Sequence, residues 1–188
     1  MALNEQLLEG MLGEIVAVDV SLDDYMEHYA EQFCEWIDGV VIRVSPSELK
    51  HNKLIHFLYL LLDAYFELKP LGMIIGQPFV MRLPAFPKRR REPDLLVVLN
   101  TNPHELKNTY LDGPADICIE VVSEESTGRD HGEKFREYEK GGVGEYWIVD
   151  HRRKECRFYH LNDEGVYIRQ EQTPEGKYQT ALLPEFVL

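Results

Sequence analysis

Apolar residues recur with a helical period over one long stretch of the chain. The row begins after Ser45-Pro46-Ser47, a sequence typical of a helix start, and ends near Lys69, where Pro70 and Gly72 interrupt it. Spacings of three and four residues predict one long helix whose broad buried stripe packs on a sheet. The stripe comprises Leu54, Leu58, Leu61, Tyr65 and Leu68, and His51 falls on it one turn earlier.

Short β-branched runs separated by turn-forming residues predict the sheet. The runs 92–99 and 116–122 are strongly apolar and are expected at its centre, and a helix over 129–140 follows the second run. This order predicts an α+β or mixed α/β fold, with a central mixed sheet flanked by the long helix on one face and a shorter helix on the other. Further expected elements are a helix over 21–32, a hairpin turning at Asp38-Gly39, a strand over 73–83, a short helix near 104–110, strands over 145–150, 155–161 and 166–171, and a last strand over 178–183.

Length and composition agree with one domain. With 188 residues, of which 44% are hydrophobic and 11% aromatic, the chain can bury one substantial core. Residues 1–20 show no strong period and are interpreted as a loosely attached N-terminal segment, which leaves residues 21–188 as the domain. Since no apolar run reaches the length of a membrane span and no signal peptide is recognisable, we expect a cytoplasmic protein, with Cys34, Cys118 and Cys156 reduced.

The net charge argues against strong electrostatic attraction to nucleic acid. Lys and Arg total 20 against 33 Asp and Glu, which gives a charge of −13 at pH 7. Two basic runs, Lys88–Arg91 and Arg152–Lys154, are local exceptions. Each run is interpreted either as a solvated turn between strands or as a patch that contacts phosphate.

Two acids lie in or beside the apolar strands. Asp94 follows Pro93 at the start of one strand, where an Asp can also cap a turn, and Glu120 lies deep inside the other. Asp116, at the entrance of the second strand, has the cap as its simpler explanation. An ionised carboxylate in so apolar a place is costly unless a cation or a donor meets it, so the pair indicates a metal site.

A lysine on the following helix could complete such a site. Lys134 shares a helix face with Asp130 and Tyr138. Two interpretations are open: a surface ion pair with Asp130, or an ammonium at the border of the buried face with its tip in a pocket. Asp, Glu and Lys side chains that converge at the end of a sheet are suited to metal-dependent phosphodiester cleavage.

Several motifs together resemble one known family. They are Pro93-Asp94, Asp116–Ser123, Ser126-Thr127, Asp130–Lys134, Tyr138 and Gly144–Asp150, with Glu35, Ile37-Asp38-Gly39, Ser45-Pro46 and His51 upstream and Leu183–Phe186 downstream. Over residues 20–188 the chain resembles the Uma-type restriction endonucleases, a bacterial branch of the PD-(D/E)xK nuclease superfamily. The triplet that reads (D/E)xK in the superfamily is Glu120-Val121-Val122 here, so the strand lacks its lysine.

The resemblance implies a restriction-endonuclease-like core in which Asp94, Glu120 and the backbone carbonyl of Val121 bind Mg²⁺ or Mn²⁺. In this family the ammonium comes from the following helix, and Lys134 matches that position. Glu35 and His51 match positions that line the same site, although spacing alone favours a structural role for His51. The implied catalytic residues are Asp94, Glu120, Lys134, Glu35 and His51, acting on DNA phosphodiesters, and the expected assembly is a homodimer.

Three other functions stay open at this stage. A binding module that keeps the nuclease fold but is catalytically silent is favoured by the charge of −13. A purely structural oligomeric protein is the second alternative. The third is a metal-dependent hydrolase of a smaller phosphodiester, which would suit an acidic surface better than duplex DNA does.

Overall fold

The computed structural model describes residues 14–43, 48–123 and 129–188, which form a mixed α/β fold with helices on both faces of a central sheet, as predicted. Its helices are α1 (Leu22–His28), α2 (Leu49–Leu68) and α3 (Lys134–Gly141), and a π-helical turn over Arg129–Glu133 precedes α3. Its strands are β1 (Glu14–Ala17), β2 (Cys34–Ile37), β3 (Val40–Arg43), β4 (Gly72–Gly76), β5 (Val80–Met81), β6 (Arg89–Arg90), β7 (Leu95–Leu99), β8 (Glu105–Leu106), β9 (Tyr110–Asp112), β10 (Ile117–Val121), β11 (Glu145–Asp150), β12 (Glu155–Leu161) and β13 (Tyr167–Gln170).

A six-stranded mixed sheet forms the centre of the described residues. Its strand order is β13-β12-β11-β10-β7-β4, with β10 and β11 parallel and the other neighbours antiparallel. Because side chains alternate along each strand, β7 and β10 divide the core into two layers. Leu95 and Ile119 pack with α2 on one face, whereas Leu96 and Cys118 pack with Tyr138 of α3 on the other.

A smaller sheet, in the order β1-β3-β2-β6, carries the predicted hairpin. The hairpin turns at Asp38 and Gly39, whose φ angles are 50° and 89°, and Gly39 accepts such an angle without a Cβ clash. The structure places Glu14–Ala17 in this sheet rather than in the loosely attached segment expected for residues 1–20, because their backbone pairs with the outer edge of β3. Residues 1–13 lie outside the described residues, and the domain boundary stays a prediction.

The buried stripe of α2 is turned slightly from the predicted one. The buried residues are His51, Leu58, Leu62 and Phe66, and the predicted Leu68 is 84% exposed. At 100° per residue Leu68 lies about 160° around the helix from Phe66, so the two cannot face the same sheet. None of the helices in the described ranges combines enough length and apolar character to cross a membrane.

Three other predicted elements differ from the structure. The strand expected over 73–83 is split at Gln77-Pro78 into β4 and β5, which belong to different sheets. The helix expected near 104–110 is instead the antiparallel pair β8–β9, because the Lys107 N–H donates to the Tyr110 carbonyl and closes a turn. The last strand expected over 178–183 is reduced to an isolated bridge between Gln179 and Val187, since the chain end folds back on itself.

Candidate active site

Two neighbouring strands bring the predicted acids to one end of the central sheet. Ile119 of β10 lies opposite Leu95 of β7 in an antiparallel pair. The next residue at that end of the sheet is Glu120 on one strand and Asp94 on the other, so the two acids are neighbours. The Val121 backbone N–H donates a 2.7 Å hydrogen bond to Asp94 Oδ2 and fixes that carboxylate against β10. Asp94 therefore does more than cap a turn: it contacts the backbone beside Glu120.

Glu120 lies in the layer beneath α3 and is almost fully buried. Its Oε1 accepts a hydrogen bond from the Tyr138 hydroxyl at 2.7 Å and lies 2.9 Å from Lys134 Nζ. Burial raises the pKa of Glu120 above its usual range; the Lys134 charge acts in the opposite direction, and Asp130 and Asp94 add to the increase. Both donors meet the same oxygen, so one carboxylate oxygen is held by the protein itself.

Lys134 points into the protein and not into bulk solvent. The residue is 5% exposed, and its Nζ also lies 3.5 Å from Glu35 Oε1 and 3.6 Å from Asp130 Oδ1. The surface ion pair with Asp130 is therefore the wrong interpretation, because both partners are buried. The π-helical turn that precedes α3 presents Lys134 at the start of that helix, directly above Glu120.

His51 and Glu35 reach the same group of side chains from two other elements. His51 of α2 lies with Nε2 at 3.4 Å from Asp94 Oδ2. Burial lowers the pKa of His51, but hydrogen bonding to Asp94 and to the Val121 backbone outweighs this and raises it. His51 thus contacts two of the three proposed metal ligands, and Glu35 of β2 contacts Lys134, so all five predicted side chains are brought together.

A buried ionic network adjoins the site on its other side. Arg91 is 1% exposed, and its guanidinium donates to Glu35 Oε2 at 2.8 Å and to both carboxylate oxygens of Glu137 at 2.8 Å. Arg89 also contacts Glu137 and lies 2.8 Å from Glu133 Oε1. The run Lys88–Arg91 is therefore not a solvated turn, because Arg90 and Arg91 are buried, and only Lys88 and part of Arg89 stay accessible to a phosphate.

The remaining candidates from the sequence have structural positions. Asp116 Oδ2 accepts the Leu99 N–H at 2.7 Å and the Asn102 side chain at 2.9 Å, so it has a structural role at the end of β7. The second basic run, Arg152–Lys154, is an exposed turn after β11. Two backbone N–H groups of that turn donate to Asp150 Oδ1, and its exposed basic side chains are compatible both with a solvated turn and with a phosphate contact.

Sequence reasoning missed four residues around the site. Glu92 is fully buried, and burial together with the nearby Glu35 charge raises its pKa to about 8. The others are Tyr138 as a donor to Glu120, and the pair Arg91 and Glu137. A usable signal existed for Glu92, an acid two positions before Asp94 at the start of an apolar run, and for Tyr138, which shares a helix face with Lys134.

The residues present fit a hard divalent cation that keeps part of its water shell. Among the described residues no three His, Cys, Asp or Glu side chains are grouped as a complete metal cage. Mg²⁺ is commonly held by one or two carboxylates plus water, and Asp94 and Glu120 supply that number. The donors are oxygens, and a cation would offset the cost of burying Glu120 as an anion.

Comparisons with known proteins identify the family and the fold of the chain. The family model Uma2, described as "Putative restriction endonuclease", matches residues 22–188. A crystal structure described as "a putative nuclease belonging to DUF820" from Anabaena variabilis ATCC 29413 has a TM-score of 0.73 at 15% identity, over 90% of this chain and 94% of that chain, which shows a shared fold. No curated protein matches the chain. Because the family model spans nearly the whole sequence, the chain belongs to the Uma2 family of restriction-endonuclease-like proteins.

Proposed function

We propose that this chain is a metal-dependent endonuclease that hydrolyses phosphodiester bonds in DNA with Mg²⁺ or Mn²⁺. The observation that carries the proposal is the buried contact of 2.9 Å between Lys134 Nζ and Glu120 Oε1, beside Asp94. A lysine missing from the strand is replaced here by one from the next helix. Phosphodiester hydrolysis needs charged groups of both signs that are held in place and shielded from bulk water, and this end of the sheet provides them.

The side chains divide into ligands and groups that position them. Asp94, Glu120 and the Val121 carbonyl would hold the cation, which when bound lowers the pKa of a water and polarises the phosphate. Tyr138 and Lys134 hold Oε1 of Glu120, so Oε2 is the oxygen that would bind the cation.

Lys134 and His51 have separate tasks in this scheme. The Lys134 ammonium would donate to the attacking water and offset the negative charge that develops on the phosphoryl oxygens. His51 would hold Asp94 in orientation through its contact with Oδ2. Glu35 would help to hold the Lys134 amine in place, since its carboxylate lies between that amine and the Arg91 guanidinium.

A plasmid-nicking assay tests the proposal. Purified wild-type chain with Mn²⁺ or Mg²⁺ should relax and linearise supercoiled DNA, and Asp94→Asn and Lys134→Met should each lower the rate at least about a hundredfold. Lys140→Ala, on the exposed face of α3, is the matched control and should keep the wild-type rate. Equal cleavage by wild type, Asp94→Asn and Lys134→Met would reject the proposal.

A catalytically silent module of the same fold is the second candidate. The net charge of −13 and the nearly complete burial of Asp94, Glu120 and Lys134 favour it, since both hinder the approach of a polyanion. This candidate predicts a divalent ion bound by Asp94 and Glu120 without turnover of any DNA. A small chromogenic phosphodiester assayed in parallel separates it from a hydrolase whose substrate is smaller than duplex DNA.

A further inference from the structure

The outer face of α2 carries two adjacent rows of exposed side chains. The apolar row is Phe57, Leu60, Ala64 and Leu68, of which Leu60 is 51% and Leu68 84% exposed. The charged row is Lys53, His56, Asp63 and Glu67, all of them exposed. Within each row the members follow at helical spacing, so each row lies along one strip of the helix surface. Soluble proteins rarely leave so continuous an apolar strip in water without a partner.

The charged row is divided by sign along the helix. Its N-terminal half is basic, with Lys53 and His56, and its C-terminal half is acidic, with Asp63 and Glu67 one turn apart. Like charges at that spacing are mildly unfavourable within a single helix. No ion pair joins Lys53, Asp63 or Glu67 to another residue in the described part of the chain. A complementary partner therefore has an apolar strip beside a charged one, with its acidic side chains opposite Lys53 and His56 and its basic side chains opposite Asp63 and Glu67.

We infer that this face of α2 binds the same face of a second copy of the chain, with the two helices antiparallel and the two-fold axis at Leu60. Lys53 and Glu67 lie seven positions on either side of Leu60, so each Lys53 faces the Glu67 of the other copy. On the same edge His56 comes beside Asp63. On the opposite edge Phe57 comes beside Ala64, while Leu60 meets Leu60 at the axis. An isologous contact of this kind is the commonest symmetry of soluble dimers.

Other arrangements match the two rows less well. Parallel pairing would put basic halves together and acidic halves together, which is unfavourable. A nucleic acid or another partner of uniform charge would be repelled by half of the charged row. His51 and the buried stripe lie on the opposite side of α2, so antiparallel pairing leaves the candidate active site uncovered. The inference does not depend on the proposed nuclease activity.

Sedimentation velocity of the full chain over a range of concentrations tests whether the chain dimerises through this face of α2. The wild type should show a monomer–dimer equilibrium, and Leu60→Asp should sediment as a monomer, because it places two carboxylates at the axis. Ile168→Asp is the matched control: Ile168 is similarly exposed but lies on β13, at the far edge of the central sheet. It should leave the equilibrium unchanged. Circular dichroism would establish that each variant keeps the wild-type fold.

Charge reversal tests the register. Lys53→Glu and Glu67→Lys should each weaken dimerisation by about tenfold, since two facing pairs become repulsive, and the double variant should restore the wild-type dissociation constant. A wild type that stays monomeric at all concentrations overturns the inference, and this includes the case in which residues 1–13 of the same chain cover the face. A dimer unaffected by Leu60→Asp, or single reversals that the double variant does not repair, overturns it as well.

Discussion

Lys134 Nζ lies 2.9 Å from Glu120 Oε1, although Glu120 belongs to strand β10 and Lys134 begins helix α3. Both side chains are almost fully buried, so the contact forms in a medium where water screens charge poorly. Removing either partner leaves a buried charge without its main compensation. The contact therefore couples the effect of a substitution at Lys134 to the charge of Glu120, and variants of Lys134 and of Tyr138 separate the two.

Replacing Lys134 with Met should abolish most of the activity while the chain still folds. The Met side chain fills a similar volume, and Tyr138 still donates to Glu120. Loss of the ammonium removes the group that positions water and stabilises developing charge, a contribution of about 10²- to 10⁴-fold. Single-turnover nicking at saturating Mn²⁺ measures it. A rate within threefold of the wild type, with wild-type Mn²⁺ affinity, would assign Lys134 to structure alone.

Replacing Tyr138 with Phe should weaken metal binding more than it weakens the fold. The hydroxyl donates to Glu120 Oε1 at 2.7 Å, and groups that orient a metal ligand contribute about 10- to 100-fold to affinity. Mn²⁺ titration followed by electron paramagnetic resonance gives the dissociation constant.

Tyr146→Phe provides the matched control for that hydroxyl. Tyr146 is also buried, and it donates to the Asp130 carbonyl at 3.0 Å and not to a proposed ligand. Both variants should lose about 1 kcal/mol of folding free energy, but Tyr146→Phe should keep wild-type Mn²⁺ affinity. Equal affinities for the two variants would show that the Tyr138 hydroxyl does not orient Glu120.

Glu35 and Glu137 both bind Arg91 but should differ in their effect on cleavage. Glu35 Oε1 also lies 3.5 Å from Lys134 Nζ, whereas the carboxylate of Glu137 is bound by Arg89 and Arg91. Glu35→Gln and Glu137→Gln should both lower the free energy of unfolding, and Glu35→Gln should in addition lower the nicking rate by about tenfold. If Glu137→Gln slows nicking as much as Glu35→Gln does, the two residues have the same supporting role.

The Glu137–Arg91 pair should contribute to stability in a pH-dependent way. Burial alone would raise the pKa of Glu137, but hydrogen bonds and charge from Arg91 outweigh it and lower the pKa. A carboxyl whose pKa is lower in the folded than in the unfolded chain stabilises the fold above the unfolded pKa, and this contribution is lost as the pH falls through the folded value.

Urea unfolding of wild type and Glu137→Gln at several pH values measures this contribution. At pH 7 the variant should be less stable by about 3 kcal/mol, the typical cost of breaking a buried ion pair. The difference should shrink as the pH falls below about 4.3, the pKa of an unperturbed Glu side chain. A difference that is constant from pH 7 down to the acid transition would mean that Glu137 acts through packing and not through its charge.

The acids of the site were predictable because they interrupt or begin apolar strand patterns in the sequence. Glu120 interrupts an apolar, β-branched run, and Asp94 begins another, so each stands out against its neighbours. The sequence predicted on which face of the helix Lys134 lies, but not what its amine contacts. From that face the amine can reach either Asp130 on the same helix or the acids of the buried strands. Tertiary packing decides between them, and it buries the amine above Glu120.

The ionic network and the exact face of α2 were not predictable, for two different physical reasons. Arg91 meets Glu35 and Glu137 across 56 and 46 positions of sequence, and a basic run carries no sign of such distant partners. In α2 the pairs Leu61-Leu62 and Tyr65-Phe66 are apolar at both positions, so either row could have faced the sheet. The exposed Leu68 follows from that ambiguity.

The central claim is that Asp94 and Glu120 share one divalent cation beside Lys134. A crystal of the full chain soaked in Mn²⁺ and measured for anomalous scattering at the manganese edge tests it most directly. The account predicts one anomalous peak within about 2.5 Å of oxygens from both carboxylates, and its loss in crystals of Asp94→Asn. Full occupancy of Mn²⁺ elsewhere, with no anomalous density between the two acids, would contradict it.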